Sequence, residues 1–88
     1  MPHALIVDDE PDVVSWMAEV VKAEGYTVAT ADSLRSARSQ LVRQAPDVLL
    51  TDLQLPDGRG TDLVHDLEAP GQTEVVVITG HASVDSAV

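Results

Sequence analysis

Residues 47–58, Asp47-Val48-Leu49-Leu50-Thr51-Asp52-Leu53-Gln54-Leu55-Pro56-Asp57-Gly58, begin as an apolar strand and end as a turn. The run 47–51 has no polar alternation, which is the mark of a strand buried on both faces, as in a parallel sheet covered by helices. A carboxylate, Asp52, stands at the changeover into the Pro56-Asp57-Gly58 turn. It either caps that turn or is a chemical group held at the mouth of a sheet. The rest of the chain decides between them.

Working outward, the apolar period switches in strict alternation. Ala4-Leu5-Ile6-Val7 is a short unbroken run ending at Asp8-Asp9. Pro11, suited to a helix's first turn, leads into Val13, Met17, Val20, Val21 and Ala23 at helical spacing, stopped by Gly25. Residues 26–30 read as a mixed strand that suits a sheet edge. Asp32 or Ser33 can cap a second helix with Leu34, Ala37, Leu41 and Ala45 on one face. A short helix carrying Leu63, Val64 and Leu67 follows the turn and closes at Pro70-Gly71. Val75-Val76-Val77-Ile78 is the last strand, ending at Thr79-Gly80, and Ser83 with Asp85 opens a further helix. The pattern is βαβαβαβ with the start of an α, an α/β parallel sheet.

Composition narrows the function. The chain of 88 residues allows one small domain. No apolar run approaches the roughly 20 residues of a membrane span. Met1-Pro2-His3-Ala4 lacks signal-peptide features and cysteine is absent, which together predict a cytoplasmic protein. Fifteen acidic residues against five basic ones give a formal charge of -10, which repels phosphate backbones and argues against nucleic-acid binding. Such a surface favours cations or a basic partner.

In open α/β sheets, ligands gather at the carboxyl ends of the strands. There the first strand delivers Asp8 and Asp9, the third Asp52, and the fourth Thr79. Carboxylates brought within about 4 Å repel by ~4 kcal/mol per pair at an effective dielectric near 20. The cluster therefore needs a cation or a retained proton. Oxygen donors without a nearby His or Cys point to a hard divalent ion, and Mg²⁺ fits best. Screened by such an ion, Asp52 becomes a carboxylate nucleophile for a phosphoryl group. Thr79 is placed to donate a hydrogen bond to a phosphoryl oxygen.

The segments "LIVDDEPDV", "PDVLLTDLQLPDGRGTDL" and "VVVITGHAS" together resemble the receiver domain of bacterial two-component response regulators, most like those of NtrC-type, sigma-54-dependent activators. The resemblance implies a flavodoxin-like doubly wound sheet of order 2-1-3-4. It implies phosphorelay signalling, with Asp52 as phosphoacceptor for a sensor histidine kinase and a transcriptional output domain elsewhere. Asp9, Asp52 and the backbone carbonyl of Gln54 would ligate Mg²⁺ directly, and Asp8 mainly through a water. Thr79 would be the switch hydroxyl. Pro56 and Gly58 match the family's turn.

The chain also departs from that pattern. The family carries a lysine at the end of a fifth strand, whereas the single lysine here is Lys22, in the first helix. Five residues after Ser83 make barely one helical turn. The implied domain, 1–88, is thus incomplete at its C-terminus, lacking the fifth strand and last helix. Its fourth strand would be an apolar edge inviting self-association, so a homodimer is one expectation and a piece of a longer chain the other. A phosphorylation-independent interaction module is the alternative function. An Asp-nucleophile phosphatase is more remote, because the general acid it needs two residues on is Gln54. A calcium loop fails on spacing, and a dinucleotide site fails because Asp8-Asp9-Glu10-Pro11 stands where glycines are needed. His3, His65 and His81 lack paired ligand spacing, Trp16 reads as packing or surface on the first helix, and Asp57, Asp62 and Asp66 read as solvated surface.

Overall fold

The computed structural model describes residues 1–67 and 70–78. Strands β1 (His3–Val7), β2 (Thr27–Ala31), β3 (Val48–Asp52) and β6 (Glu74–Ile78) form one parallel sheet in the order β2-β1-β3-β6. This is the expected 2-1-3-4 order. The numbering jumps because β4 (Gln54–Leu55) and β5 (Gly58–Arg59) pair with each other as a separate antiparallel hairpin. That hairpin stands where the sequence predicts only a turn. Observed strands begin or end one residue away from the expected bounds, and Asp52 is the last residue of β3.

Helix α1 (Pro11–Ala23) starts at a proline, whose missing N–H is no loss in the first turn, and carries Asp12 toward the positive end of the dipole. It stops at Gly25, whose φ of 94° lies in the left-handed region open to glycine. Helix α2 (Leu34–Arg43) is capped by Ser33, whose side chain accepts from the Ser36 N–H while the Ser36 hydroxyl accepts from the Ser33 N–H. Of the two candidate caps, Ser33 takes the role. Ala45 falls beyond α2 and is exposed.

The chain moves from β1 out to β2 and then back across β1 to β3. Right-handed crossovers therefore put α1 and α2 on opposite faces. The α2 face is dry: Leu5, Val7 and Leu49 from the strands meet Leu34, Ala37, Leu41, Leu63 and Leu67. Each such leucine contributes ~1.5–3 kcal/mol of burial. On the other face Ala4 and Ile6 are fully buried and α1 contributes Met17, but Trp16 is 65% exposed and Val20 47%. Trp16 thus takes the surface option of its two readings, and of the predicted apolar stripe of α1 Val20 is left half in solvent.

The short helix after the turn, Gly60–Asp66, is 3-10 rather than α. With three residues per turn, positions 60 and 63 fall on one side, and Gly60 and Leu63 are the two buried residues. Val64, expected in the core, sits off that side and is 36% exposed. Leu67 is buried just past the helix. A single 3-10 turn, Pro70–Gln72, precedes β6.

Candidate functional site

At the carboxyl end of the sheet the backbone presents carboxylates from two adjacent strands. Asp8 directly follows β1, and its N–H continues the β1–β2 ladder by donating to the Ala31 carbonyl at 3.0 Å. Its Oδ1 accepts from the Glu10 N–H at 3.0 Å, which turns the side chain over the start of α1. Asp9 follows in the same turn and is exposed. Asp52, closing β3, accepts from the Gln54 N–H through Oδ1 at 3.4 Å. Asp8 and Asp52 are only 2% and 5% exposed.

These three side chains converge. One carboxylate oxygen from each of Asp8, Asp9 and Asp52 lies within 4.8 Å of the others. Unit charges at that spacing repel by ~3–4 kcal/mol per pair at an effective dielectric near 20. Two of the three are buried, so water screens them poorly. The donor set is all hard oxygen, and the geometry fits a small divalent cation that takes a few carboxylates and keeps waters. Beside the cluster an open groove of about 450 Å³ runs between the starts of α1 and α2, lined by Asp8, Asp9, Val14, Ser15, Asp32 and Ser36.

The floor of the site is tightly built. Thr51 is fully buried and its hydroxyl donates to the Asp52 carbonyl at 3.0 Å. The Gly60 N–H donates to the Leu53 carbonyl at 2.9 Å, bringing the chain back under β3. A Cβ at Gly60 would overlap the Asp52 carbonyl oxygen and the Thr51 hydroxyl, so only glycine permits this approach.

Of the residues anticipated for the site, Asp8, Asp9 and Asp52 come together. Gln54 lies two residues beyond Asp52 in β4 and touches it through its N–H. Thr79 lies outside the described residues, as do His81, Ser83 and Asp85. Ile78, immediately before Thr79, is in register with Asp52. His3 sits at the opposite end of the sheet, with Nδ1 2.8 Å from the Thr27 hydroxyl, and His65 is exposed. Lys22 is exposed in the last turn of α1.

Asp57 and Asp66 are exposed, as the sequence predicts, yet each also bonds to a distant element. The Asp57 carboxylate accepts from the Leu34 N–H at 2.8 Å and from the Arg35 N–H at 3.0 Å, at the start of α2. The Leu34 bond is the main cause that holds the Asp57 carboxyl below its ordinary value of 3.8, with the Arg35 bond adding to it. Asp66 pairs with Arg38 at 2.9 Å, joining the 3-10 helix to α2. Neither partner could be read from local spacing, since each bond spans more than twenty residues.

This architecture defines a class. A CheY-like α/β sheet with an acidic cluster at the carboxyl ends of β1 and β3 is a receiver fold, and the response regulator receiver domain profile matches residues 4–88. The chain belongs to the response regulator receiver domain family, whose members are regulatory modules rather than enzymes. It is 40% identical over 86 residues to the response regulator protein PilR of Pseudomonas aeruginosa, covering 97% of this chain and 19% of that protein. It is 32% identical over 88 residues to the transcriptional regulatory protein GlrR of Escherichia coli, covering 98% of this chain and 20% of the relative. The chain thus spans about a fifth of the length of these curated relatives. Among solved structures it resembles the beryllofluoride-activated NtrC4 receiver domain dimer, with a TM-score of 0.78 at 35% identity, covering 99% of this chain and 73% of that one. A CheY-like receiver from Methylobacillus flagellatus gives a TM-score of 0.80 at 25% identity, covering 91% and 70%.

Proposed function

We propose that this receiver accepts a phosphoryl group on Asp52 from a sensor histidine kinase and thereby regulates a transcriptional output. The single observation that carries the reading is the convergence of Asp8, Asp9 and Asp52 within 4.8 Å at one end of the sheet. An Asp52 oxygen attacks phosphorus, the Asp52 O–P bond forms, and the bond from phosphorus to the kinase histidine nitrogen breaks. The leaving imidazole keeps the electron pair and is protonated, and Asp52 becomes an acyl phosphate.

Asp9, Asp52 and the Gln54 carbonyl are the direct Mg²⁺ ligands in this reading, with Asp8 acting mainly through a water. When bound, Mg²⁺ supplies countercharge to the carboxylates and to the phosphoryl oxygens. The residues themselves do the rest. The Gln54 N–H holds one oxygen of Asp52. Thr79 follows the residue registered with Asp52 and is the hydroxyl assigned to contact the phosphoryl group. The acidic surface fits a basic docking face on the kinase and disfavours direct contact with nucleic acid. We assign the protein to the cytoplasm, where such kinases phosphorylate their partners; among the described residues no helix is long and apolar enough to cross a membrane.

A second reading, self-association through β6, is favoured by one feature. Among the described residues β6 ends the sheet order, and its Val76 and Val77 are 41% and 38% exposed. An open edge of this kind can pair with another chain, and the NtrC4 receiver is a dimer in its activated form.

The test is incubation of the intact protein with acetyl phosphate and Mg²⁺, followed by mass mapping. The reading expects one phosphoryl group on Asp52, formed only when Mg²⁺ is present during the incubation and not when it is chelated beforehand. Labelling elsewhere, or none with Mg²⁺ present, contradicts it.

A further inference from the structure

The first four N–H groups of an α-helix, the cap residue's included, have no partner inside the helix; beyond the cap residue three remain. In α2 they are the N–H groups of Leu34, Arg35 and Ser36. Ser33 takes the third, and Asp57 takes the first two through its separate carboxylate oxygens. The aspartate comes from a different part of the chain, between β4 and β5. Its negative charge also meets the positive end of the helix dipole.

Asp57 therefore anchors the β4–β5 hairpin as much as it caps the helix. The hairpin is held from three sides. Leu55 is buried in the core, Asp57 is bonded to α2, and Gly60 is bonded back to Leu53. Gly58 packs so closely that a Cβ there would meet Leu34 Cδ1 at 2.5 Å, and its φ of 152° is one that side chains rarely adopt. The hairpin's first residue, Gln54, donates to Asp52. A path thus runs from the start of α2 through Asp57 and the hairpin to the Asp52 carboxylate, its last step the 3.4 Å bond from the Gln54 N–H.

We propose that Asp57 is a positioning residue for the acidic site: by clamping the hairpin to α2 it sets the place of the Gln54 backbone relative to Asp52, and so the site's affinity for a divalent cation. The inference rests on the metal-binding reading of Asp8, Asp9 and Asp52. Groups that orient direct ligands commonly change metal affinity tenfold or more when removed. A merely structural cap would change stability and leave affinity alone.

The experiment is calorimetric titration of the intact protein with Mg²⁺ alone, comparing wild type, Asp57→Ala, Asp57→Asn and Ser33→Ala, with circular dichroism to confirm folding. Asp57→Ala is expected to weaken Mg²⁺ binding by about tenfold. Asp57→Asn keeps one acceptor oxygen and falls between the two; it serves as the readout if the alanine variant fails to fold. Ser33→Ala removes the other cap of the same helix and is expected to lower thermal stability with Mg²⁺ affinity unchanged. Wild-type affinity in the folded Asp57 variants overturns the inference and leaves the metal site standing. Equal weakening by Ser33→Ala also overturns it, because helix stability alone would then explain the effect. A wild-type protein that takes no Mg²⁺ overturns the metal reading itself.

Discussion

The two ends of β3 each carry an aspartate, and the chain treats them in opposite ways. At the amino end, Asp47 accepts from the His3 N–H at 2.7 Å while its own N–H donates to the His3 carbonyl at 2.8 Å. Its carbonyl accepts from the Glu74 N–H at 2.9 Å, so Asp47 ties β3 to both neighbouring strands. At the carboxyl end, roughly 16 Å away along the strand, Asp52 is set against two other carboxylates. The first arrangement lowers the energy of the fold and asks for nothing further. The second stores repulsion that a cation relieves. The contrast separates a structural aspartate from a functional one by environment alone.

Substitutions at the two ends should therefore diverge. The largest effect is expected from Asp52→Asn, which should abolish acetyl phosphate labelling while leaving the fold intact by circular dichroism. Next, the wild type should gain ~2.7 kcal/mol of stability at a Mg²⁺ concentration one hundred times its Kd, read as a rise in melting temperature. Asp8→Asn removes one like charge, so it should raise metal-free stability by about 1–3 kcal/mol and remove the Mg²⁺-dependent gain. Asp47→Ala should do the reverse, costing ~1 kcal/mol for its lost bond to His3 while the Mg²⁺ gain persists.

The smallest effect concerns Asp57 and pH. The Leu34 N–H, with the Arg35 N–H, lowers its folded carboxyl below the ordinary 3.8. A depressed carboxyl stabilises the fold fully above its unfolded value and loses that contribution as pH falls through the lowered one. Wild type and Asp57→Asn should thus differ most near neutral pH and converge in acid, as read by melting curves across pH.

Much of this was legible in the linear chain. Unbroken runs such as Ala4–Val7 read as buried strands, and their alternation with helices pointed to a parallel sheet. Because all strands point one way, Asp8, Asp9 and Asp52 had to emerge at one end. The parts that escaped depend on contacts between distant residues. Asp57 looks like any turn aspartate until α2 is packed 23 residues away. The 3-10 form of Gly60–Asp66 and the close approach of Gly60 to the Asp52 carbonyl are not revealed by local helical spacing. The exposure of Val20 shows that α1 buries less of its apolar stripe than the spacing predicts.

The central claim is one divalent site at one end of the sheet, and paramagnetic Mn²⁺ in place of Mg²⁺ tests it most directly. In an amide spectrum of the labelled protein, Asp8, Asp9, Asp52 and Gln54 should broaden first, while His3, Thr27 and Asp47 stay sharp. Broadening spread evenly over the acidic surface, or strongest around Asp47, would contradict the account.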